Sequence, residues 1–151
     1  MLEIRPLRSE DAPELFEMMK VFYASPAVIS PMSEDILKAD IEACFNPSLP
    51  LECELFICDG QTAGYAMTTR CYATEFGGMC AWLEDLYIKP EYRGMGISSR
   101  FFEHLECKCA DCKLIKLEAE KENAHAVSVY KRRGFEVSEY FEMVKRLACP
   151  S

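Results

Sequence analysis

A chain of 151 residues, 50 % hydrophobic and 28 % charged, has the size and composition of one folded domain and is no disordered segment. Its formal net charge of −8 excludes a sequence-independent nucleic-acid binder, which needs a basic surface, and is compatible with a cationic substrate. No apolar run is long enough to cross a bilayer, and nine cysteines behind an N-terminus with no basic-then-apolar leader read as free thiols in a reducing cytoplasm.

Residues 2–7 predict a short strand that Pro6 confines to an edge or an end. Ser9 or Asp11 caps a helix over 10–24, with Pro13 tolerated in its first turn and Leu15, Met18, Met19, Phe22 and Tyr23 on its apolar face. Pro26 and Pro31 mark the loop that follows. Residues 23–32 either make a plain connection or border a substrate pocket. Ser33 caps a second helix with Leu37, Ile41, Cys44 and Phe45 as its buried stripe, ended by Asn46-Pro47. Residues 51–58 alternate as a strand, and Asp59-Gly60 signals a hairpin to a partner over 61–72. A second turn over 73–78 leads to a third strand over 79–88, and Pro90 closes this antiparallel meander. A helix over 97–109 turns Phe101, Phe102, Leu105 and the stem of Lys108 inward. Residues 114–120 form another strand, and a short helix over 124–133 stops at Gly134. Residues 135–137 and 140–147 supply the last strand material. The order is β-α-α-β-β-β-α-β-α-β, a mixed α/β sheet in a single domain over 1–151, with no repeat and no linker. In such sheets ligands sit at the carboxyl ends of strands near a change of topology, which here means the strand before residue 90.

That strand runs into Glu91-Tyr92-Arg93-Gly94-Met95-Gly96-Ile97-Ser98-Ser99. Two glycines followed by a helix start leave several N–H groups pointing outward, which suits a phosphate-bearing ligand. The stretch is no dinucleotide fingerprint, because Ser99 stands at the third glycine position, and no P-loop, because no Lys-Ser/Thr follows. From the glycines alone, a ligand site and a bare helix-start turn remain equal readings. Cys107, Cys109 and Cys112 cluster, but a zinc site needs a fourth ligand and the only histidines are His104 and His125, so structural thiols and no metal are expected.

The segment from Leu86 through Tyr87, Ile88, Lys89, Pro90, Glu91, Tyr92, Arg93, Gly94, Met95 and Gly96 to Ile97 resembles the acetyl-CoA-binding segment of the GNAT N-acetyltransferases, whose signature is Arg/Gln-x-x-Gly-x-Gly/Ala. A second segment, from Asn123 through Tyr130 and Gly134 to Phe135, resembles the family's later motif in its spacing of Asn, Tyr and Gly-Phe. The order of elements fits the GNAT fold over essentially the whole chain. Trp82-Leu83-Glu84-Asp85-Leu86 and Tyr130-Lys131-Arg132-Arg133-Gly134 are most similar to the diamine (spermidine/spermine) acetyltransferases. One position departs: Ser98 stands where the signature has Gly or Ala, and its hydroxyl can serve a phosphate or the helix start.

The resemblance implies acetyl-CoA as cosubstrate and a small primary amine, polyamine-like or another metabolite, as acceptor, attacked directly in a ternary complex. It implies that Gly94, Met95, Gly96, Ile97, Ser98 and Ser99 offer backbone donors to the diphosphate, with Arg93 adding charge or merely solvated. It also implies that Leu86, Tyr87 and Ile88 bind the cofactor, with Leu86 and Ile88 pairing by backbone along the pantetheine arm, and that the Leu86 N–H faces the oxyanion. A splay between the strands at 79–88 and 114–120 would leave that edge open. Tyr130 matches the family's general acid, since a phenol of pKa about 10 can give its proton to a departing thiolate at neutral pH; the alternative is a tyrosine packed in the core.

The resemblance to the diamine enzymes implies Glu84 as the base, directly or through water; the alternative is that Glu84 and Asp85 simply sit on the strand surface or pair with a basic residue. Regular pleating points the two to opposite faces unless a bulge intervenes. Trp82 either walls a pocket, holds a cation on its ring, or packs in the core. Asn123 caps the short helix, contacts the cofactor, or both, and His125 is a surface residue. The resemblance implies a homodimer, and no nucleic-acid or membrane partner is expected. Two other readings stay open: an acetyltransferase for protein lysines or N-termini, with a peptide groove beside residues 23–32 and 73–78, and a CoA-binding regulatory module without turnover.

Overall fold

The computed structural model describes residues 1–148. Strand β1, Leu2–Pro6, opens the sheet and pairs antiparallel with β2, Leu51–Cys58. A turn of 3-10 helix then leads into α1, Ala12–Tyr23. Helix α2, Glu34–Cys44, starts at Ser33, whose hydroxyl accepts from the Ile36 N–H as the sequence predicts. Asp59 and Gly60 both take positive φ, 49° and 80°, the twist a two-residue hairpin demands, and the chain returns as β3, Gln61–Ala73. Strand β4, Gly78–Ile88, completes the meander.

Helix α3, Ile97–Lys108, then carries the chain over the sheet to β5, Leu114–Leu117, which lies parallel to β4. Helix α4, Ala124–Arg132, ends at Gly134 with φ 89°. The strand order follows the sequence, β1-β2-β3-β4-β5.

The sheet is covered on both faces. Leu15, Met18 and Met19 of α1 and Leu37 and Ile41 of α2 pack on Cys53, Leu55, Tyr65, Met67 and Tyr87. On the other face Ile97, Phe101, Phe102 and Leu105 of α3 pack on Phe56, Ala63, Ala66, Ala81 and Leu83, with Tyr130 and Phe135 at the margin. Side chains of this size each contribute about 1.5–3 kcal/mol on leaving water.

Three expectations are corrected. Phe45 is not part of the buried stripe of α2; it is the residue after the last turn and 46 % exposed. Strand β5 stops at Leu117 rather than residue 120. Residues 135–137 and 140–147 form no strand, so among the described residues the order ends at α4, and the sheet has five strands. No partner edge meets that segment, and an isolated strand has nowhere to place its hydrogen bonds. Residues 149–151 of the single domain expected over 1–151, Cys149 among them, lie outside the described residues.

Candidate active site

After β4 the chain makes one turn of 3-10 helix, Pro90–Tyr92. Arg93 reaches back, its Nε donating to the Ile88 carbonyl at 3.0 Å, which ties the loop to the strand end. Gly94 and Gly96 follow with φ 76° and 77°, and a Cβ built on either would meet nothing within 4 Å. Their need for glycine is therefore conformational, and the space in front of them is open. Gly96 is the N-cap of α3, and no side chain caps it. Among the described residues no acceptor meets the N–H groups of Gly94, Met95, Gly96, Ile97, Ser98 or Ser99. Ile97 is buried under the sheet and anchors this row of donors.

The pairing of β4 with β5 runs from Cys80↔Leu114 to Leu83↔Leu117 and then stops, while β4 continues to Ile88. Beyond Leu83 the two strands leave a gap. Lys89 donates its N–H to Ala63 on the β3 side at 2.8 Å. Alternation along an extended strand therefore turns the N–H groups of Ile88 and Leu86 the other way, into the gap. The Tyr87 ring lies on the α1–α2 face, packed with Phe22 and Tyr65 at centroid distances of 6.3 and 6.0 Å. Only its backbone stands beside the gap.

The register of β3 on β4 jumps at the same place. Met67 pairs with Asp85 but Thr68 pairs with Leu83, so Glu84 is an extra residue and β4 carries a bulge. Glu84 accepts from the Thr69 hydroxyl at 3.0 Å. Asp85 accepts from Tyr65 at 2.9 Å and from Tyr23 at 2.6 Å. Tyr65 and Thr69 sit four residues apart on β3, on one face. The bulge thus brings both carboxylates, adjacent in sequence, to the α1–α2 face.

Asp85 is 3 % exposed, and burial pushes its carboxyl up from the usual 3.8 to about 6, against the two phenol hydrogen bonds that hold it down. Burial and the nearby carboxylate raise the Tyr23 and Tyr65 phenols. Asp40 of α2 is raised by burial and by Glu84, and Glu118 past β5 by its hydrogen bond with Glu142. Four acidic groups thus surround the mouth of the gap. A cavity of about 210 Å³ opens between α1, α2 and the loop joining them, lined by Lys20, Tyr23, Pro31, Met32, Glu34 and Leu37, and Tyr23 links it to Asp85. A larger one, about 390 Å³, lies at the far edge of β5, away from the bulge.

Tyr130 belongs to the opposite face. Its ring packs edge-on against Phe102 and Phe135, each at 6.0 Å, while its hydroxyl meets no partner among the described residues. Burial raises its pKa, which keeps the phenol protonated at neutral pH. The core-packed tyrosine and the available phenol are the same residue. Asn123 caps α4, accepting from the Ala126 N–H at 3.2 Å. Trp82 joins neither core cluster; the Lys116 ammonium sits 5.5 Å from its ring. His125 is exposed. The structure adds Tyr23, Tyr65 and Asp40 to the residues read from sequence and makes Asp85 the buried acid. The signal available for this was the adjacent Glu84-Asp85, two carboxylates interrupting a strand that otherwise alternates.

The model of the acetyltransferase (GNAT) family matches residues 13–135. A curated relative, the thialysine N-epsilon-acetyltransferase of Bos taurus, is 36 % identical over 73 residues, 47 % of this chain and 42 % of the relative. The chain thus aligns with less than half the length of that relative. Among solved structures, a possible acetyltransferase from Clostridium difficile 630 superposes with a TM-score of 0.83 at 18 % identity, covering 98 % of this chain and 99 % of that one. An aminoglycoside N-acetyltransferase in complex with CoA superposes with a TM-score of 0.78 at 16 % identity, covering 98 % and 96 %. At such identities the superpositions show the fold.

Proposed function

The chain belongs to the acetyltransferase (GNAT) family, and from that premise we propose that it moves an acetyl group from acetyl-CoA to a primary amine of a small, polycationic molecule. The observation that carries the proposal is the gap between β4 and β5, with the free amides on one side of the sheet and the carboxylates on the other. The residues fit acetyl-CoA. The N–H groups from Gly94 to Ser99 suit the diphosphate, at a helix start whose dipole favours negative charge, with the exposed Arg93 beside them. The N–H groups of Leu86 and Ile88 suit an extended amide-bearing arm laid along the strand edge, as any open edge accepts a strand, past the Tyr87 backbone. The Leu86 N–H then meets the thioester carbonyl oxygen as negative charge grows there. Asn123 fixes the start of α4 and so the height at which Tyr130 stands.

The acceptor enters from the α1–α2 face. Its ammonium is drawn by Asp85, Asp40 and Glu118, and Glu84, directly or through a water, takes the proton that frees the nitrogen lone pair. The nitrogen attacks the carbonyl carbon, the adduct's nitrogen loses its second proton to water, the carbon–sulfur bond breaks, and the thiolate leaves toward Tyr130, which gives it a proton and is reprotonated from solvent. The products are an N-acetyl amine and free CoA thiol. With acid and base on opposite faces, the amine adds to the carbonyl from one side, the tetrahedral adduct's oxyanion is held by the Leu86 N–H, and the thiolate departs toward the other side, so no acyl-enzyme is needed.

The relatives named for thialysine and aminoglycoside acetylation both act on amines, which supports an amine acceptor. A homodimer, on the resemblance to the family, and a reducing cytoplasm, on the free thiols expected of the nine cysteines, belong to the same proposal; among the described residues no helix is long and apolar enough to cross a membrane. The test is thiol release from acetyl-CoA over a panel of diamines, polyamines, lysine analogues, aminoglycosides and lysine-bearing peptides. Release with small polycations is the expected result. Release with peptides alone makes the acceptor a protein lysine or N-terminus. Tight acetyl-CoA binding with no release makes the chain a regulatory module.

A further inference from the structure

The cysteines among the described residues are all free thiols, and acetyl transfer at the β4–β5 gap uses none of them. Three pairs of them meet. Cys44 hydrogen-bonds Cys53, Cys71 lies opposite Cys80 on the β3–β4 ladder, and Cys109 hydrogen-bonds Cys112.

The pair in Cys109-Ala110-Asp111-Cys112 differs from the other two in its backbone. Cys109 follows the last turn of α3, and its C=O accepts from the Cys112 N–H at 2.8 Å, closing a four-residue turn. Such a turn holds its end Cα atoms within about 7 Å, and a disulfide spans about 4.4–6.8 Å between Cα atoms. With the thiols already in contact, a bridge needs a change of side-chain rotamer and no movement of helix or strand.

The pair differs also in charge. Arg70 reaches into the turn from β3. Its Nη1 donates to the two Asp111 carboxylate oxygens at 3.1 and 3.0 Å, and its Nη2 donates to the Lys108 carbonyl at 3.0 Å and to the Cys109 Sγ at 3.6 Å. Among the described residues Cys109 is the only sulfur that accepts from a cation. Burial pushes the Cys109 thiol up, and the guanidinium pulls it back down. Cys53 is raised by its hydrogen bond with Cys44 and by burial, and Cys80 by burial, with no cation donating to either among the described residues. Cys112 is half-buried and lines the cavity of about 390 Å³ at the β5 edge, so a small solute reaches it.

We propose that Cys109 and Cys112 form an oxidisable dithiol, closed to a disulfide by hydrogen peroxide and reopened by a thiol reductant. The Cys112 thiolate, its proton lost to solvent, attacks one peroxide oxygen. The O–O bond breaks, Cys112 becomes a sulfenic acid, and the released hydroxide takes up a proton as water. The Cys109 sulfur then attacks the Cys112 sulfur, the S–O bond breaks, and hydroxide departs with the Cys109 proton as a second water. Two thiols give up two electrons, and one peroxide becomes two waters. Arg70 favours the second step by stabilising the Cys109 thiolate as it forms. A bridge in a surface turn is readily reduced, which makes the step reversible in a reducing compartment. Nothing in it depends on acetyl transfer.

The test uses the full chain, reduced, freed of reductant and exposed to hydrogen peroxide. Remaining thiols are alkylated and tryptic peptides are read by mass spectrometry. Lys108 and Lys113 bracket the pair, so residues 109–113 leave as one peptide, separate from Cys107. That peptide should carry an internal disulfide before any bridge forms at Cys44–Cys53 or Cys71–Cys80, and dithiothreitol should restore both thiols. Arg70→Gln should slow closure about tenfold with the circular dichroism unchanged, and Arg70→Lys should recover part of the loss. In Cys109→Ser, Cys112 should stop at the sulfenic acid, trapped by dimedone. Two free thiols in the 109–113 peptide, a bridge to Cys107 in place of the expected one, or prior closure of another pair overturns the proposal. So does Cys112 running on to the sulfinic acid beside a free Cys109. Closure of Arg70→Gln at the rate of the unsubstituted chain removes Arg70 from it.

Discussion

Tyr130 packs its ring between Phe102 and Phe135 and keeps its hydroxyl without a partner. Tyr130→Phe keeps the ring, so stability and acetyl-CoA affinity should hold while kcat falls about a hundredfold or more, read by thiol release and calorimetry. Unchanged kcat would remove the phenol from the chemistry. Asp85 makes a prediction in pH. Its folded-state pKa is raised from 3.8 to about 6, so between those values the folded protein binds the extra proton. The stability it contributes is full below about pH 4 and is lost as pH rises through 6, on the order of 3 kcal/mol for a shift of about two pKa units. Asp85→Asn should flatten that slope in urea titrations at pH 4.5 and 7. It should also abolish any limb of kcat/KM near pH 6, where the ionised carboxylate begins to attract the acceptor ammonium. Tyrosines 23 and 65 were invisible as partners of Asp85 because they lie 62 and 20 residues away from it along the chain.

Two glycines next to the site matter for different reasons, and the difference lies in their elements. Gly96 opens α3 with φ 77° and empty space before it. Gly96→Val puts a branched side chain where the left-handed backbone costs it on the order of 1–3 kcal/mol and where the diphosphate would lie. The variant should fold with a lowered melting temperature and lose acetyl-CoA affinity in calorimetry; normal binding would place the phosphate site elsewhere. Gly64 has no unusual φ. Its absent Cβ would lie 2.1 Å from the Tyr87 carbonyl oxygen, so the close approach of β3 to β4 depends on it. Gly64→Ala should therefore destabilise the sheet itself, seen as a shift in denaturation midpoint of the unliganded protein. Most elements were legible because period and caps agree: Ser33 starts α2, Asp59-Gly60 turns the hairpin, and Gly134 stops α4. The bulge at Glu84 was legible only as a condition, because a register jump is a property of two strands and not of either one. The strand expected after Gly134 failed for the same kind of reason, since apolar and aromatic residues mark a segment as able to pair but do not set it against an edge.

At the scale of the molecule, Tyr130 and the Glu84 and Asp85 carboxylates lie on opposite faces of the sheet, and the chain carries a net charge of −8. Such a field raises the encounter rate of a polycationic acceptor and is screened by salt. The kcat/KM for a triamine should fall steeply as sodium chloride rises, and that for a monoamine should fall less. Equal salt dependence would mean that the carboxylates at the gap do not select for charge.

The sequence alone determined what short-range chemistry can carry. It set the helix starts and stops, the meander, the glycine loop with its outward amides, and the two motifs whose spacing resembles one family. Those depend on neighbours within a turn or a strand length. The tertiary structure decided which side chains meet: Asp85 with Tyr23 and Tyr65, the splay of β4 from β5, Tyr130 on the face opposite Glu84, and Arg70 on the Cys109 sulfur. Each of these needs residues far apart in the chain to be brought together by packing on a common sheet, and no local pattern encodes that distance.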